Sequence, residues 1–137
     1  MNKNIRIILA DDHLIILRSI STLLNQIPDI EVVALAENGE RALTLARSIP
    51  ADIMILDIDM PKMNGLQVTA QLKSLDIDIK VVIFTIYDDP SIVRSAIEKG
   101  ASGYVLKNRA MTDLQQAIRM VNKGKRFLSE PIATYDS

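Results

Sequence analysis

Apolar residues cluster along this chain in two alternating rhythms. Short runs dominated by Ile, Val and Leu stand at Ile5 to Ala10, Ile30 to Ala36, Asp52 to Leu56, Lys80 to Thr85 and Gly103 to Leu106. They are apolar almost throughout, as strands covered on both faces must be, and so predict a parallel sheet rather than a half-solvated antiparallel one. Between the runs, apolar positions step by three or four: Leu14, Leu17, Ile20 and Leu24; Ala42, Leu45, Ala46 and Ile49; Leu66, Thr69 and Ala70; Ile92, Val93, Ala96 and Ile97; Leu114, Ala117, Ile118 and Val121. Each set predicts one helix. Asn38 and Asn64 are suited to cap helix starts, Pro90 to a first helical turn, and Gly100 or Gly103 to the left-handed residue that ends a helix. Five strand and helix repeats joined by right-handed crossovers predict an α/β fold: a doubly wound, five-stranded parallel sheet with helices on both faces.

Composition narrows the function. The 137 residues hold 16 Lys and Arg against 17 Asp and Glu, a formal charge of −1, so these residues do not form a basic surface for nucleic acid or membrane. Cysteine is absent, which excludes disulfide scaffolds, thiolate metal sites and cysteine nucleophiles. No run approaches the ~20 apolar residues of a membrane span, and a cytoplasmic protein is expected. With no Trp, 2 Phe and 3 Tyr, the core must be aliphatic.

In an open parallel sheet, ligands bind beyond the carboxyl ends of the strands. The first strand ends in Asp11 and Asp12, the third in Asp57 with Asp59 two residues on, the fourth in Thr85 and the fifth in Lys107. Carboxylates gathered this closely raise one another's pKa unless a cation neutralises them. Oxygen donors alone, without Cys or a His pair, suit Mg²⁺. An ammonium beside such a metal site implies an anion between them, and a phosphoryl group fits; Thr85 can donate to one of its oxygens. Asp57, at the end of the central strand, is then the candidate nucleophile for an aspartyl phosphate, with Asp11 and Asp12 on the metal. Taken singly, each residue has a plainer role: Asp11 and Asp12 as a turn capping the first helix, Lys107 as a surface lysine, Thr85 as a strand end, Tyr104 as a half-buried strand aromatic. His13 fits capping better than metal ligation.

Four stretches carry a family resemblance: Ile8-Leu-Ala-Asp-Asp-His13, Met54-Ile-Leu-Asp-Ile-Asp-Met-Pro-Lys-Met-Asn-Gly65, Val82-Ile-Phe-Thr85 and Gly100-Ala-Ser-Gly-Tyr-Val-Leu-Lys107. In order and spacing they resemble the receiver domain of bacterial two-component response regulators of the LuxR or NarL kind, whose output domain is a DNA-binding helix-turn-helix. The resemblance implies the flavodoxin-like receiver fold with strand order 2-1-3-4-5. It implies that a histidine kinase phosphorylates Asp57, and that Mg²⁺ is held by Asp12, Asp57 and the backbone carbonyl of Asp59, with Asp11 acting through water. Thr85 and Lys107 would stabilise the phosphoryl group. Thr85 and Tyr104 would form the switch, Thr85 moving toward the phosphoryl group and Tyr104 turning into the space it leaves. The surface of the fourth helix, fifth strand and fifth helix would then change its contacts, with a homodimer as the expected product. Two positions depart from the commonest pattern. Ile86 stands after Thr85 where a small residue is usual, which predicts slower exchange of the phosphoryl group with solvent. Asn108 follows Lys107 where many receivers have proline, which predicts a less firmly held lysine.

Residues 1–121 read as the phosphoacceptor domain, and 122–137 as a tail or the entrance to a linker. The run Val121 to Glu130 resembles the approach to a DNA-binding domain in LuxR and NarL regulators, so transcription regulation is expected, with DNA reached only through a further C-terminal domain. One alternative is a stand-alone receiver acting by phosphorelay or docking. The other is enzymatic, because Asp57-Ile58-Asp59 resembles the nucleophile motif of haloacid-dehalogenase phosphatases. That family places its nucleophile near the N-terminus and an acidic motif late, the reverse of this order, and a receiver that is not an enzyme is the expectation.

Overall fold

The computed structural model describes residues 4–136. Its elements run in the order β1 (Ile5–Ala10), α1 (Leu14–Asn25), β2 (Ile30–Ala36), α2 (Gly39–Ser48), β3 (Ile53–Leu56), α3 (Gly65–Ser74), β4 (Lys80–Thr85), α4 (Pro90–Glu98), β5 (Gly103–Leu106), α5 (Ala110–Asn122) and β6 (Phe127–Leu128). Short 3₁₀ turns cover Lys107–Arg109 and Glu130–Asp136. The strands form one sheet in the order β2-β1-β3-β4-β5-β6, every pair parallel. The five expected strands lie in the expected order. The short sixth strand is an addition, too brief at two residues to leave a periodic signal.

The continuous apolar runs resolve into two faces. Ile8, Ala10, Met54, Leu56, Val81 and Ile83 point to one side, where Ala42 and Leu45 of α2, Val68 and Leu72 of α3, and Val93 and Ala96 of α4 cover them. Ile7, Leu9, Ile53, Ile55, Val82 and Phe84 point to the other, beneath Leu17 and Leu24 of α1 and Leu114, Ala117, Ile118 and Val121 of α5. Both faces are therefore dry, which is why polar positions are scarce within the strands. Arg119 of α5 forks onto Asp29 before β2, with Nη1 to Oδ2 at 2.6 Å and Nη2 to Oδ1 at 2.9 Å, closing the α1 and α5 side. The Arg119 hydrogen bond holds the Asp29 carboxyl below its ordinary pKa.

Local chemistry sets the helix boundaries. The Asn38 side chain accepts from the Arg41 amide, and Asn64 forms a capping box with Gln67. Pro90 opens α4, and Gly100, at φ 114°, takes the left-handed conformation after it. Gly103 instead begins β5, where Val82 and Val121 leave little room for a side chain. These boundaries fix the loops that leave the carboxyl ends of the strands.

Candidate functional site

The ends of β1, β3 and β5 deliver Asp11, Asp57 and Lys107 to one point. Lys107 Nζ lies 2.8 Å from Asp11 Oδ2 and 3.1 Å from Asp57 Oδ2, and all three side chains are largely buried. Asp57 Oδ1 accepts from the Ile58 amide at 2.7 Å, leaving Oδ2 to face the ammonium. Asp11 Oδ2 is fully buried and has no aligned hydrogen bond, so its contact with Lys107 is an ion pair. Burial pushes the Asp57 carboxyl above its ordinary pKa and Asp11 adds to this, while Lys107 pulls it down. Burial pulls the Lys107 ammonium down, but Asp11 and Asp57 together outweigh it and hold its pKa above the ordinary value.

Asp12 and His13 complete the rim. Asp11, Asp12, His13 and Asp57 each present a ligand atom within 4.8 Å of the others, an arrangement able to hold a metal ion. His13 Nδ1 is 3.2 Å from both Asp11 Oδ1 and Asp12 Oδ1. The imidazole thus contacts both carboxylates. It makes no side-chain cap on α1, although its own amide donates to Asp11 Oδ1 at 2.8 Å. Asp59 is exposed, and its carboxylate, outside that group of four, accepts from the Tyr87 hydroxyl.

The switch residues sit one step away. Thr85 is fully buried at the end of β4, with the Tyr87 amide 3.5 Å from its Oγ1. Tyr104 is also fully buried, not half-buried as a strand aromatic by default would be, and its hydroxyl donates to the Tyr87 carbonyl oxygen at 2.7 Å. Burial raises the Tyr104 phenol well above its ordinary pKa, with Asp89 and Asp88 adding to the effect. Tyr87 therefore touches Thr85, Asp59 and Tyr104 at once, a junction that sequence reading did not single out. Its one sequence signal is a phenol two residues beyond Thr85. Ile86 is 71% exposed.

The loop after β3 depends on close backbone approach. A Cβ on Gly65 would lie 2.1 Å from the Asp57 carbonyl oxygen, so α3 starts hard against the strand end that carries Asp57. The Gly65 amide donates to the Ile58 carbonyl oxygen at 2.9 Å. The turn after Lys107 has its own anchor: Arg109 Nε donates to the buried Asp113 carboxylate at 2.8 Å.

A cluster of carboxylates around one buried lysine at the carboxyl edge of a doubly wound sheet is what a phosphoryl-accepting site needs, and the response regulator receiver domain family matches residues 7–119. The chain belongs to that family. As a receiver it is 36% identical over 126 residues to the nitrate/nitrite response regulator NarL of Escherichia coli K12, a match covering 92% of this chain and 58% of that protein. It is 33% identical to a LuxR-family two-component response regulator from Aurantimonas sp. SI85-9A1, with a TM-score of 0.92 over 97% of this chain and 95% of that one. The isolated receiver domain of RcsB from Salmonella enterica serovar Typhimurium, solved with the phosphomimetic BeF3−, superposes with a TM-score of 0.88 at 29% identity, covering 97% and 99%. This receiver is thus of the NarL and LuxR kind, and it spans between half and two-thirds of the length of its curated relatives.

Proposed function

We propose that this receiver accepts a phosphoryl group on Asp57 from a histidine kinase and thereby governs a DNA-binding output domain in transcription. The observation that carries the reading is the convergence of Asp11, Asp57 and Lys107 within hydrogen-bonding distance at the carboxyl edge of the sheet. Asp57 Oδ2 attacks the phosphorus of the donor; a new oxygen–phosphorus bond forms as the bond to the leaving group breaks. Lys107 opposes the burial that raises the Asp57 pKa and then faces the charge on the transferred group. Thr85 offers its hydroxyl to a phosphoryl oxygen. The work is positioning and charge neutralisation rather than covalent activation.

The donor set suits a hard divalent cation. Asp11, Asp12 and Asp57 each bring a carboxylate oxygen within 4.8 Å of the others. We assign Mg²⁺ to Asp11, Asp12, Asp57 and the backbone carbonyl of Asp59. When bound, it would neutralise charge on the phosphoryl oxygens and on the carboxylates. On phosphorylation the Thr85 and Tyr104 pair transmits the change to the surface of α4, β5 and α5, and two copies of the chain associate. The direct hydrogen bond from Tyr104 to the loop before α4 supports this route. Among the described residues no helix is long and apolar enough to cross a membrane, and a cytoplasmic signalling role without catalytic turnover accords with the family.

Intact mass after incubation with acetyl phosphate and Mg²⁺ tests the reading. One phosphoryl group is expected on the wild type and none on Asp57→Asn; absence of uptake by the wild type sinks it. Repeated release of inorganic phosphate from a phosphomonoester would favour the phosphatase alternative instead. The exposed Ile86 side chain sets a second expectation. Because Ile86 stands directly after Thr85, Ile86→Ala is expected to shorten the lifetime of the phosphorylated protein, read as faster decay of the phosphorylated mass. An unchanged decay would remove Ile86 from the account.

A further inference from the structure

Beyond β6 the chain does not simply leave the sheet. In a parallel ladder that continued past the Tyr104 and Leu128 pair, the Leu106 amide would donate to the Ser129 backbone carbonyl. The first half of that step is made, since the Ser129 amide donates to the Tyr104 carbonyl oxygen at 3.0 Å. The second half is not. The Ser129 carbonyl accepts from the Ile132 amide at 2.9 Å and so starts the final 3₁₀ turn. The Leu106 amide is met instead by the Ser129 hydroxyl oxygen, at 3.1 Å in a fully buried setting.

We infer that Ser129 is a positioning residue for Lys107. Its hydroxyl finishes the β5 ladder at the residue immediately before the lysine, and its amide fixes the same strand at Tyr104. Without this bond the pairing of β5 on its β6 side would stop at Gly103 and Tyr104; Leu106 would keep only its pairing with Thr85 of β4, and its buried amide would be left without an acceptor. Lys107 has no β6 partner of its own, so the direction in which it leaves β5 rests on Leu106 and on the 3₁₀ turn that follows. Alanine or valine at position 129 cannot supply the acceptor and cysteine supplies only a weak one; threonine can. Ile132, fully buried in the cluster that holds Tyr104, Val93 and Ala96, clamps the segment so that the hydroxyl cannot drift away.

The consequence for phosphoryl transfer rests on the phosphoacceptor reading; the consequence for Lys107 itself does not. The test therefore reads both. Trace acylation of the whole chain reports Lys107 against exposed Lys62, while intact mass with acetyl phosphate and Mg²⁺ reports uptake. Ser129→Ala is expected to raise Lys107 labelling several-fold with Lys62 unchanged, and to slow uptake roughly ten- to a hundredfold. Ser129→Thr should restore both. A residue that only stabilised the fold would lower the unfolding midpoint while leaving Lys107 labelling in the folded protein as it was, and that result overturns the inference. Raised labelling without uptake in any protein, wild type included, would uphold the role of Ser129 and remove the phosphoacceptor reading. Should Ser129→Ala not fold, hydrogen exchange on the wild type decides. The Leu106 amide must then be as protected as the central strands, and fast exchange there overturns the inference.

Discussion

Replacing Lys107 with methionine should cost this protein about 3–5 kcal/mol of stability at neutral pH in metal-free buffer, the loss expected when one partner of a buried charge group is removed. Methionine keeps the apolar stem and deletes only the ammonium. Asp11 and Asp57 are then left facing each other, almost wholly buried, with no cation between them. Asp57 is already held above its ordinary pKa by burial, and Lys107 is the main group that pulls it down, with a smaller contribution from the Ile58 amide. In the variant that pKa rises further. A carboxyl raised in the folded state contributes its stability at acid pH and loses it as pH rises past the unfolded value and through the folded one. The deficit of Lys107→Met relative to the wild type should therefore be largest at neutral pH and shrink on acidification. Millimolar Mg²⁺ should recover part of it, because a cation among the carboxylates does what the ammonium did. Urea unfolding at several pH values, with and without Mg²⁺, checks each part. A deficit below about 1 kcal/mol at neutral pH would mean that solvent already screens the three groups.

The second large effect is expected at Gly65. Alanine is the better helix former by up to about 1 kcal/mol, so propensity alone predicts a gain at this first position of α3. Sterics predict the opposite. The added methyl would stand 2.1 Å from the carbonyl oxygen of Asp57 and 2.9 Å from its carbon, and both are backbone atoms that cannot rotate aside. Overpacking against side chains costs typically 1–3 kcal/mol, and a rigid backbone puts Gly65→Ala at about 3 kcal/mol or beyond. Relief of the clash can come only by moving α3 or the end of β3, which carries Asp57. Loss of stability and loss of phosphoryl uptake should therefore occur together. A variant as stable as the wild type would show that α3 can shift at no cost.

The strands were legible because both faces of the sheet are covered, which writes each one as an unbroken apolar run. That same continuity hid which residue faces which way: nothing in Ile53-Met-Ile-Leu56 separates Met54 and Leu56 from Ile53 and Ile55 until the helices are in place. Asp11, Asp57 and Lys107 could be read together because each follows an apolar run directly, so sheet topology alone delivers them to one edge. Tyr87 lay in a loop without periodicity, and its contacts with Asp59 and Tyr104 exist only once β3, β4 and β5 are side by side. The end of the chain was harder still. Two strand residues and a serine bonded through its side chain carry no repeating pattern, so the segment after α5 reads as a tail although Phe127, Ser129 and Ile132 are buried.

Tyr87 and Tyr104 also make the site optically distinct. The sequence has no tryptophan and only three tyrosines, so near-ultraviolet absorption, circular dichroism and emission come almost wholly from phenols. Two of the three meet at the loop between β4 and α4, one bonded to Asp59 and the other to the Tyr87 carbonyl. Any rearrangement of that loop changes the surroundings of both chromophores, and the protein needs no attached dye for its signalling state to be followed in real time.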